Sequence, residues 1–261
     1  MTAVIIGGHQ RSGTTILGRV LAGHPDVGLT LEFGNFLGLG RDMRQNVAFI
    51  MERWRVLRTR NDLLPPSFLR RANFVRNHLF IPLYLLGLHR SRSGRVTLPA
   101  VEAALRPLFP RARIVGDKFP HYVYELERLS QVKGLIHVII YRDCRDVASS
   151  ALVQARTSWR GMHFVGQLDT AEKIALRWMV AIELMERHRE QIHIVRYEDL
   201  VHEPKRVLAP LASRLDIDPD RFPMRWLRSD RIGKHVRGLT PEELATVMRL
   251  AGPTMERLGY A

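Results

Sequence analysis

The run Gly8-His9-Gln10-Arg11-Ser12-Gly13-Thr14-Thr15 gathers glycines, hydroxyls and one arginine at a single point of the chain. Val4-Ile5-Ile6 before it is β-branched and reads as a buried strand, while Leu17, Val20 and Leu21 after it fall at helical spacing. A strand, a glycine turn and a helix start together present unpaired backbone N–H groups and the positive end of a helix to an anion. Gly8 and Gly13 have the separation of a P-loop and Thr15 fills its Ser/Thr position, but Thr14 stands where the loop lysine belongs. That lysine reaches the outer phosphates of a triphosphate, and threonine is too short and uncharged to replace it. Arg11 supplies a cation inside the loop instead. The stretch therefore suits a phosphate better than the γ-phosphate of ATP or GTP. The plain alternative is a glycine-rich strand-to-helix turn without a ligand.

A second anion-binding constellation follows Leu135-Ile136-His137-Val138-Ile139-Ile140-Tyr141, the clearest buried strand in the sequence. Arg142 stands at its end, and Ser149 and Ser150 lie on a helix expected from near Val147. Arginine offers phosphate a planar fork and serine adds a hydroxyl donor. Asp143 could be taken for a magnesium-holding acid, yet it sits beyond the arginine, where a metal would face an adjacent cation. Glu32 ends a short predicted strand from Val27 to Leu31, where α/β proteins gather their ligands; a solvated loop acid is the competing reading. The β run Arg113 to Gly116 leads into Asp117-Lys118-Phe119-Pro120-His121, which suggests a cation placed in a proline-closed turn. Asp230 to Gly238, containing Arg231, Gly233 and Lys234, is basic, glycine-punctuated and loop-like.

The elements that must position these residues recur as strand–helix units over 261 residues and predict an α/β fold, a single domain with a doubly wound parallel sheet. Further helices are expected at Thr14 to about Ala22, Val101 to Leu108, Tyr122 to Leu129, Ala171 to Arg189 and Val207 to Leu215, with a strand at Ile192 to Val195. Thr240-Pro241-Glu242-Glu243 carries a capping box and opens the last helix. The formal charge of +14 comes almost wholly from arginine, because the lysines are only Lys118, Lys133, Lys173, Lys205 and Lys234. Such a balance suits polyanions, anionic lipid or a phosphorylated small molecule. Residues 41–95 concentrate the arginines and form an insertion with an amphipathic helix (Phe49, Ile50, Trp54, Leu57), a break at Pro65-Pro66 and an apolar run from Leu79 to Leu86. It reads either as an acceptor pocket or membrane-resting segment over the phosphate site, or as a buried helix with basic solvated faces, the latter being slightly favoured. Cys144 is the sole cysteine, so no internal disulfide forms. No signal peptide or stretch of about 20 apolar residues is visible, and a cytoplasmic location is expected.

Two separate phosphate sites fit a nucleotide phosphorylated at both its 5′ and 3′ positions. At this point Arg11-Ser12-Gly13-Thr14-Thr15, Arg142 through Ser150, Arg196-Tyr197-Glu198-Asp199-Leu200 and Leu258-Gly259-Tyr260 resemble the PAPS-dependent sulfotransferases, from about Val4 to the C-terminus. The resemblance implies a P-loop-like fold, PAPS as donor, PAP as product and no metal. It assigns Arg11, Ser12, Gly13, Thr14 and Thr15 to the 5′-phosphosulfate and Arg142 with Ser150 to the 3′-phosphate. Tyr197 is placed with the cofactor-binding residues, and Arg231, Gly233 and Lys234 with the loop closing over the 3′-phosphate. His235 there departs from the family's usual aromatic, and Cys144 stands in place of its usual proline. The stretch His24-Pro25-Asp26-Val27 through Glu32 is similar to tyrosylprotein sulfotransferases, which use a glutamate base; this makes Glu32 the expected base, ahead of His121 and His9. Lys118 is similar to the family lysine supporting the leaving group, and with Arg11 completes the expected catalytic set.

The acceptor must carry a hydroxyl, and the basic, apolar insertion leans toward an anionic or lipid-linked glycan and toward peripheral membrane contact. Specific nucleic-acid binding is not expected, because aromatics are not interleaved with the basic residues. A small-molecule kinase using Mg-ATP and a non-catalytic nucleotide-binding or nucleic-acid-binding protein are the rivals.

Overall fold

The computed structural model describes residues 2–57, 70–90, 94–162 and 164–260. Five strands form one parallel sheet: β1 (Thr2–Gly7), β2 (Val27–Leu31), β3 (Ile114–Lys118), β4 (Leu135–Tyr141) and β5 (Ile192–Arg196), in the order β2-β3-β1-β4-β5. The expected doubly wound α/β architecture is present. Parallel strands need crossovers, and helices supply them on both faces, so the strands read as continuous apolar runs. β1 and β2, for example, are buried along almost their whole length.

Alternate residues of β1 feed two cores. Val4 and Ile6 pack with Leu17, Val20 and Leu21 of α1 (Thr14–Ala22) and with Leu208 and Leu211 from farther along the chain. Ala3 and Ile5 face the other side, with Phe33, Phe36, Ile50, Phe80, Tyr84 and Tyr122. The arginine-rich insertion supplies α2 (Met43–Leu57) and α3 (Arg70–Arg90), followed by α4 (Leu98–Leu105). Phe80, Ile81, Tyr84 and Leu88 of α3 are buried while Leu79 and Leu86 are exposed, so this run is a helix with a core face. Pro65-Pro66 lies outside the described residues. Among the described residues, no helix is long and apolar enough to cross a membrane.

The remaining helices are α5 (Leu126–Leu129), α6 (Cys144–Arg156), α7 (Ala171–Arg187), α8 (Tyr197–His202), α9 (Pro204–Leu215), α10 (His235–Gly238) and α11 (Pro241–Arg257). Several boundaries differ from expectation: α7 ends at Arg187 rather than Arg189, and α9 begins at Pro204 rather than Val207. The helix expected at 101–108 begins at Leu98 behind an N-cap from Thr97 and tightens to a 3₁₀ turn at Arg106–Leu108. The first half of the expected 122–129 helix belongs to a 3₁₀ segment, Pro120–Glu125, because Tyr122 and Val123 are drawn against the start of the glycine loop at Gly7, and only Leu126–Leu129 is α-helical. α6 begins at Cys144, three residues before Val147, because Asp143 caps it by accepting from Arg145 N. The capping box at Thr240 and Glu243 forms as read from the sequence.

Candidate active site

The glycine loop runs from the end of β1 to the first turn of α1. Gly13 holds the N-cap in the left-handed region at φ 98°, and a Cβ there would meet the Tyr197 ring at 2.4 Å. Gly8, at φ 150°, lies so close to Ile140 O that a Cβ would approach it to 2.2 Å. The loop is thus fitted between the ends of β4 and α8. Among the described residues, Arg11 is one of three non-glycine residues with positive φ, at 71°. Such conformations cost about 1–3 kcal/mol each and persist where the surroundings over-determine them.

A cavity of about 620 Å³ opens in front of the loop, lined by Arg11, Gly13, Thr14, Thr15, Arg142, Ser149, Ser150, Tyr197, Arg231 and Lys234. Its volume falls within the usual range for small-molecule sites. Arg142 is buried at 6% exposure and gripped on several sides. Its Nη2 donates to Asp146 Oδ2 at 2.8 Å and to the Arg231 carbonyl, its Nη1 reaches the Arg11 carbonyl at 3.5 Å, and its guanidinium lies 4.7 Å over the Tyr197 ring. Arg142 Nε is buried without a hydrogen-bond partner. Arg11 Nε donates to Ser150 Oγ at 2.9 Å, so this cation leaves the loop and turns to the far end of the cavity. Partial burial, then the like charges of Arg142 and Arg231, hold the Arg11 guanidinium below its usual pKa, while Glu32 acts in the opposite sense. Clustered cations with an orphaned buried N–H are the environment a dianion relieves, and these residues fit a nucleotide phosphorylated at both ends.

Two expected ligands stand apart from the cavity wall. Ser12 Oγ is buried and unpartnered behind the loop, beside His9, and its N–H is taken by His9 O at 3.1 Å. Gly233, in the left-handed region at φ 74°, turns its N–H to Asp146 Oδ2 at 2.9 Å. Asp146 is a residue to which sequence reading assigned no role. Its carboxylate also accepts from His235 N at 3.0 Å and His235 Nδ1 at 2.9 Å, tying the 231–238 loop to Arg142. Burial opposes its charge, but the donors from His235 and Arg142 outweigh it and leave the carboxyl below its ordinary pKa. The available signal was its spacing, four residues after Arg142 at a helix start, where oppositely charged side chains meet. Asp143 pairs with Arg145 at 2.7 Å.

The second half of the site lies beyond Thr15. Lys118 remains in β3, paired in register with Leu31, rather than in a turn after it. Lys118 is 1% exposed, and its ammonium donates to Glu32 Oε1 at 2.6 Å and Thr15 Oγ1 at 3.2 Å. Glu32 is left-handed at φ 62°, and its side chain keeps 28% exposure, enough for a substrate group to touch. Arg53 of the insertion donates to the Glu32 carbonyl at 2.5 Å and stacks 4.9 Å over Phe119. Of the two histidines considered as bases, His9 is buried and pushed down to about 4, first by desolvation and also by Arg177. His121 is pushed down by burial and by Arg177 and Arg53, with Glu125 opposing.

The model of the Sulfotransferase family matches residues 3–221. The chain belongs to the sulfotransferase family. It is an enzyme that moves a sulfuryl group from PAPS to a hydroxyl-bearing acceptor, with PAP as the second product. The loop bearing Arg231, Gly233 and Lys234 lies beyond the matched residues. Among solved structures, the sulfotransferase domain from the curacin biosynthetic pathway is similar at 19% identity and TM-score 0.55, covering 100% of this chain and 98% of that one. A sulfotransferase from Alicyclobacillus acidocaldarius is similar at 16% identity and TM-score 0.53, covering 99% and 94%. The sulfotransferase STF9 from Mycobacterium avium is similar at 15% identity and TM-score 0.52, covering 98% and 76%. At these identities the likeness is one of fold. No curated protein matches the chain.

Proposed function

We propose that this sulfotransferase uses Glu32 as general base, with Lys118 linking it to the phosphate loop. The supporting observation is the continuous contact Glu32 Oε1–Lys118 Nζ–Thr15 Oγ1, which joins a reachable carboxylate to the anion-binding loop through one buried cation. PAPS, when bound, supplies the activated sulfuryl group. The loop N–H groups with Thr14 and Thr15 hold its 5′ end, and Arg142, Ser150 and Arg11 hold its 3′-phosphate, with Tyr197, Arg231 and Lys234 around them. Ser12 and Gly233 shape the two loops from behind. Glu32 takes the proton of the acceptor hydroxyl, a role worth about 10²–10⁴-fold in rate. Once Glu32 is neutralised, Lys118 loses its partner charge and serves the negative charge growing at the loop, together with the loop N–H groups and the helix end.

The acceptor class favoured is an anionic glycan. Arg53, which meets the Glu32 turn, and Arg177 both act on His121, so basic side chains gather on that side of the site. A lipid-linked acceptor predicts stimulation of turnover by anionic liposomes, and indifference to them removes that version. Residues 1–261 are read as one domain, and the buried lone Cys144 fits a cytoplasmic setting. The deciding experiment is calorimetric titration with PAP and with ATP, each with and without magnesium. Tight, metal-independent PAP binding with little response to ATP is expected; preference for Mg-ATP overturns the nucleotide assignment in favour of a kinase.

A further inference from the structure

Asp117 and Lys118 are adjacent in β3, so their side chains leave opposite faces of the sheet. Lys118 runs toward α1, its stem against Gly18, and reaches the Glu32 carboxylate. Asp117 enters the apolar layer containing Phe33, Phe36, Tyr84 and Tyr122, with no exposure at all. Its carboxylate accepts from Thr30 Oγ1 at 2.6 Å, Tyr122 Oη at 2.7 Å, Gly34 N at 2.8 Å and Phe33 N at 3.4 Å. Two of those donors are the backbone amides that directly follow Glu32. Tyr122 Oη accepts in turn from Phe36 N at 3.3 Å, so the same group of bonds reaches the next turn of the segment.

Glu32 needs such support. A glutamate at φ 62° is strained, because its Cβ crowds the neighbouring carbonyl. Its N–H is held by Lys118 O at 2.5 Å, which fixes the residue before the kink but not the chain after it. The amides of Phe33 and Gly34 define the exit direction, and Asp117 is what holds them. Burial pushes the Asp117 carboxyl above its ordinary pKa, with its donors opposing. A carboxyl so placed costs folding free energy, and an apolar core has no need of it. What its accepted hydrogen bonds give in exchange is a fixed direction for the chain leaving Glu32.

We infer that Asp117 is the positioning residue of the base: from the core face of β3 it locks the left-handed turn that aims the Glu32 carboxylate at Lys118. The inference rests on Glu32 being the base, and a double-mutant cycle separates the two. Asp117→Asn should lower kcat about 10- to 100-fold, as small misplacements of a reacting group do, while the KM for PAPS and the Kd for PAP stay within about twofold. Added to Glu32→Gln, the same substitution should cost almost nothing further, because the group it positions is already gone. Equal losses in both backgrounds, or an unchanged kcat in the single variant, overturn the positioning role. Wild-type turnover of Glu32→Gln instead overturns the base assignment, whatever Asp117 does. If Asp117→Asn fails to bind PAP, Tyr122→Phe carries the same cycle, since it removes one donor and keeps the ring. A loss of about threefold confined to the Glu32 background supports the inference, and no loss, or a loss in both backgrounds, overturns it.

Discussion

The two ends of the site are built on different plans. At the Arg142 end, cations of one kind crowd together: Arg11, Arg142, Arg228, Arg231 and Lys234 line one cavity. The central one is held by loop carbonyls and by a single carboxylate, Asp146. At the Glu32 end there is one carboxylate and one buried lysine, set by strand register and by a strained turn. Affinity for a polyanion is a sum over many charges, so losing one contributor leaves the others in place. Proton transfer passes through one atom, so its loss has no substitute. The nucleotide end should therefore fail gradually in binding, and the base end steeply in turnover.

The largest effect is expected from Glu32→Gln, which should reduce kcat by about 10²–10⁴-fold and leave PAP affinity unchanged in calorimetry. A comparable loss in PAP affinity would mean that the two ends are not separable. Arg142→Ala comes next. Truncating one partner of a buried charge pair costs about 2–5 kcal/mol, so PAP should bind roughly 30- to several-thousand-fold more weakly while kcat at saturating PAPS changes far less. Asp146→Asn should be milder, about tenfold in PAP affinity, because the amide oxygen still accepts from Gly233 or His235 while the charge on Arg142 loses its partner. The same residue gives a pH signature. A carboxyl whose folded pKa lies below its unfolded value stabilises the fold above the ordinary aspartate range, and that contribution is lost as pH falls through the lower folded value. Wild-type melting temperature should accordingly fall more steeply below about pH 4 than that of Asp146→Asn. Parallel curves would show that Asp146 does not hold the loop through its charge.

Particular residues show how far the sequence could be read. Thr14 in place of the loop lysine, and Arg142 with Ser149 and Ser150 after an apolar strand, are local patterns, and the structure brings these residues to one cavity wall. Glu32 and Lys118 were each visible as strand-end groups, but their 2.6 Å contact depends on the pairing of β2 with β3 across more than eighty residues. Asp117 stood beside a noted lysine and was passed over as part of a turn. An acid directly after a short apolar β run is the available clue, since an acid carried into the sheet is almost never buried without several donors. Ser12 was read as a ligand from its place in the motif, whereas the turn closed by its own N–H on His9 O sends its hydroxyl behind the loop.

The sequence by itself determined the alternation of apolar strands and helices, the glycine positions, the capping residues and the excess of arginine, because each depends on neighbours a few residues away. Tertiary structure alone decided which way each functional side chain points. Arg11 turned to Ser150 because the loop is wedged between β4 and α8; Glu32 was forced left-handed because β3 holds the chain before and after it. Direction at a site is set by contacts between distant segments, and only the packed sheet brings those segments within hydrogen-bond distance.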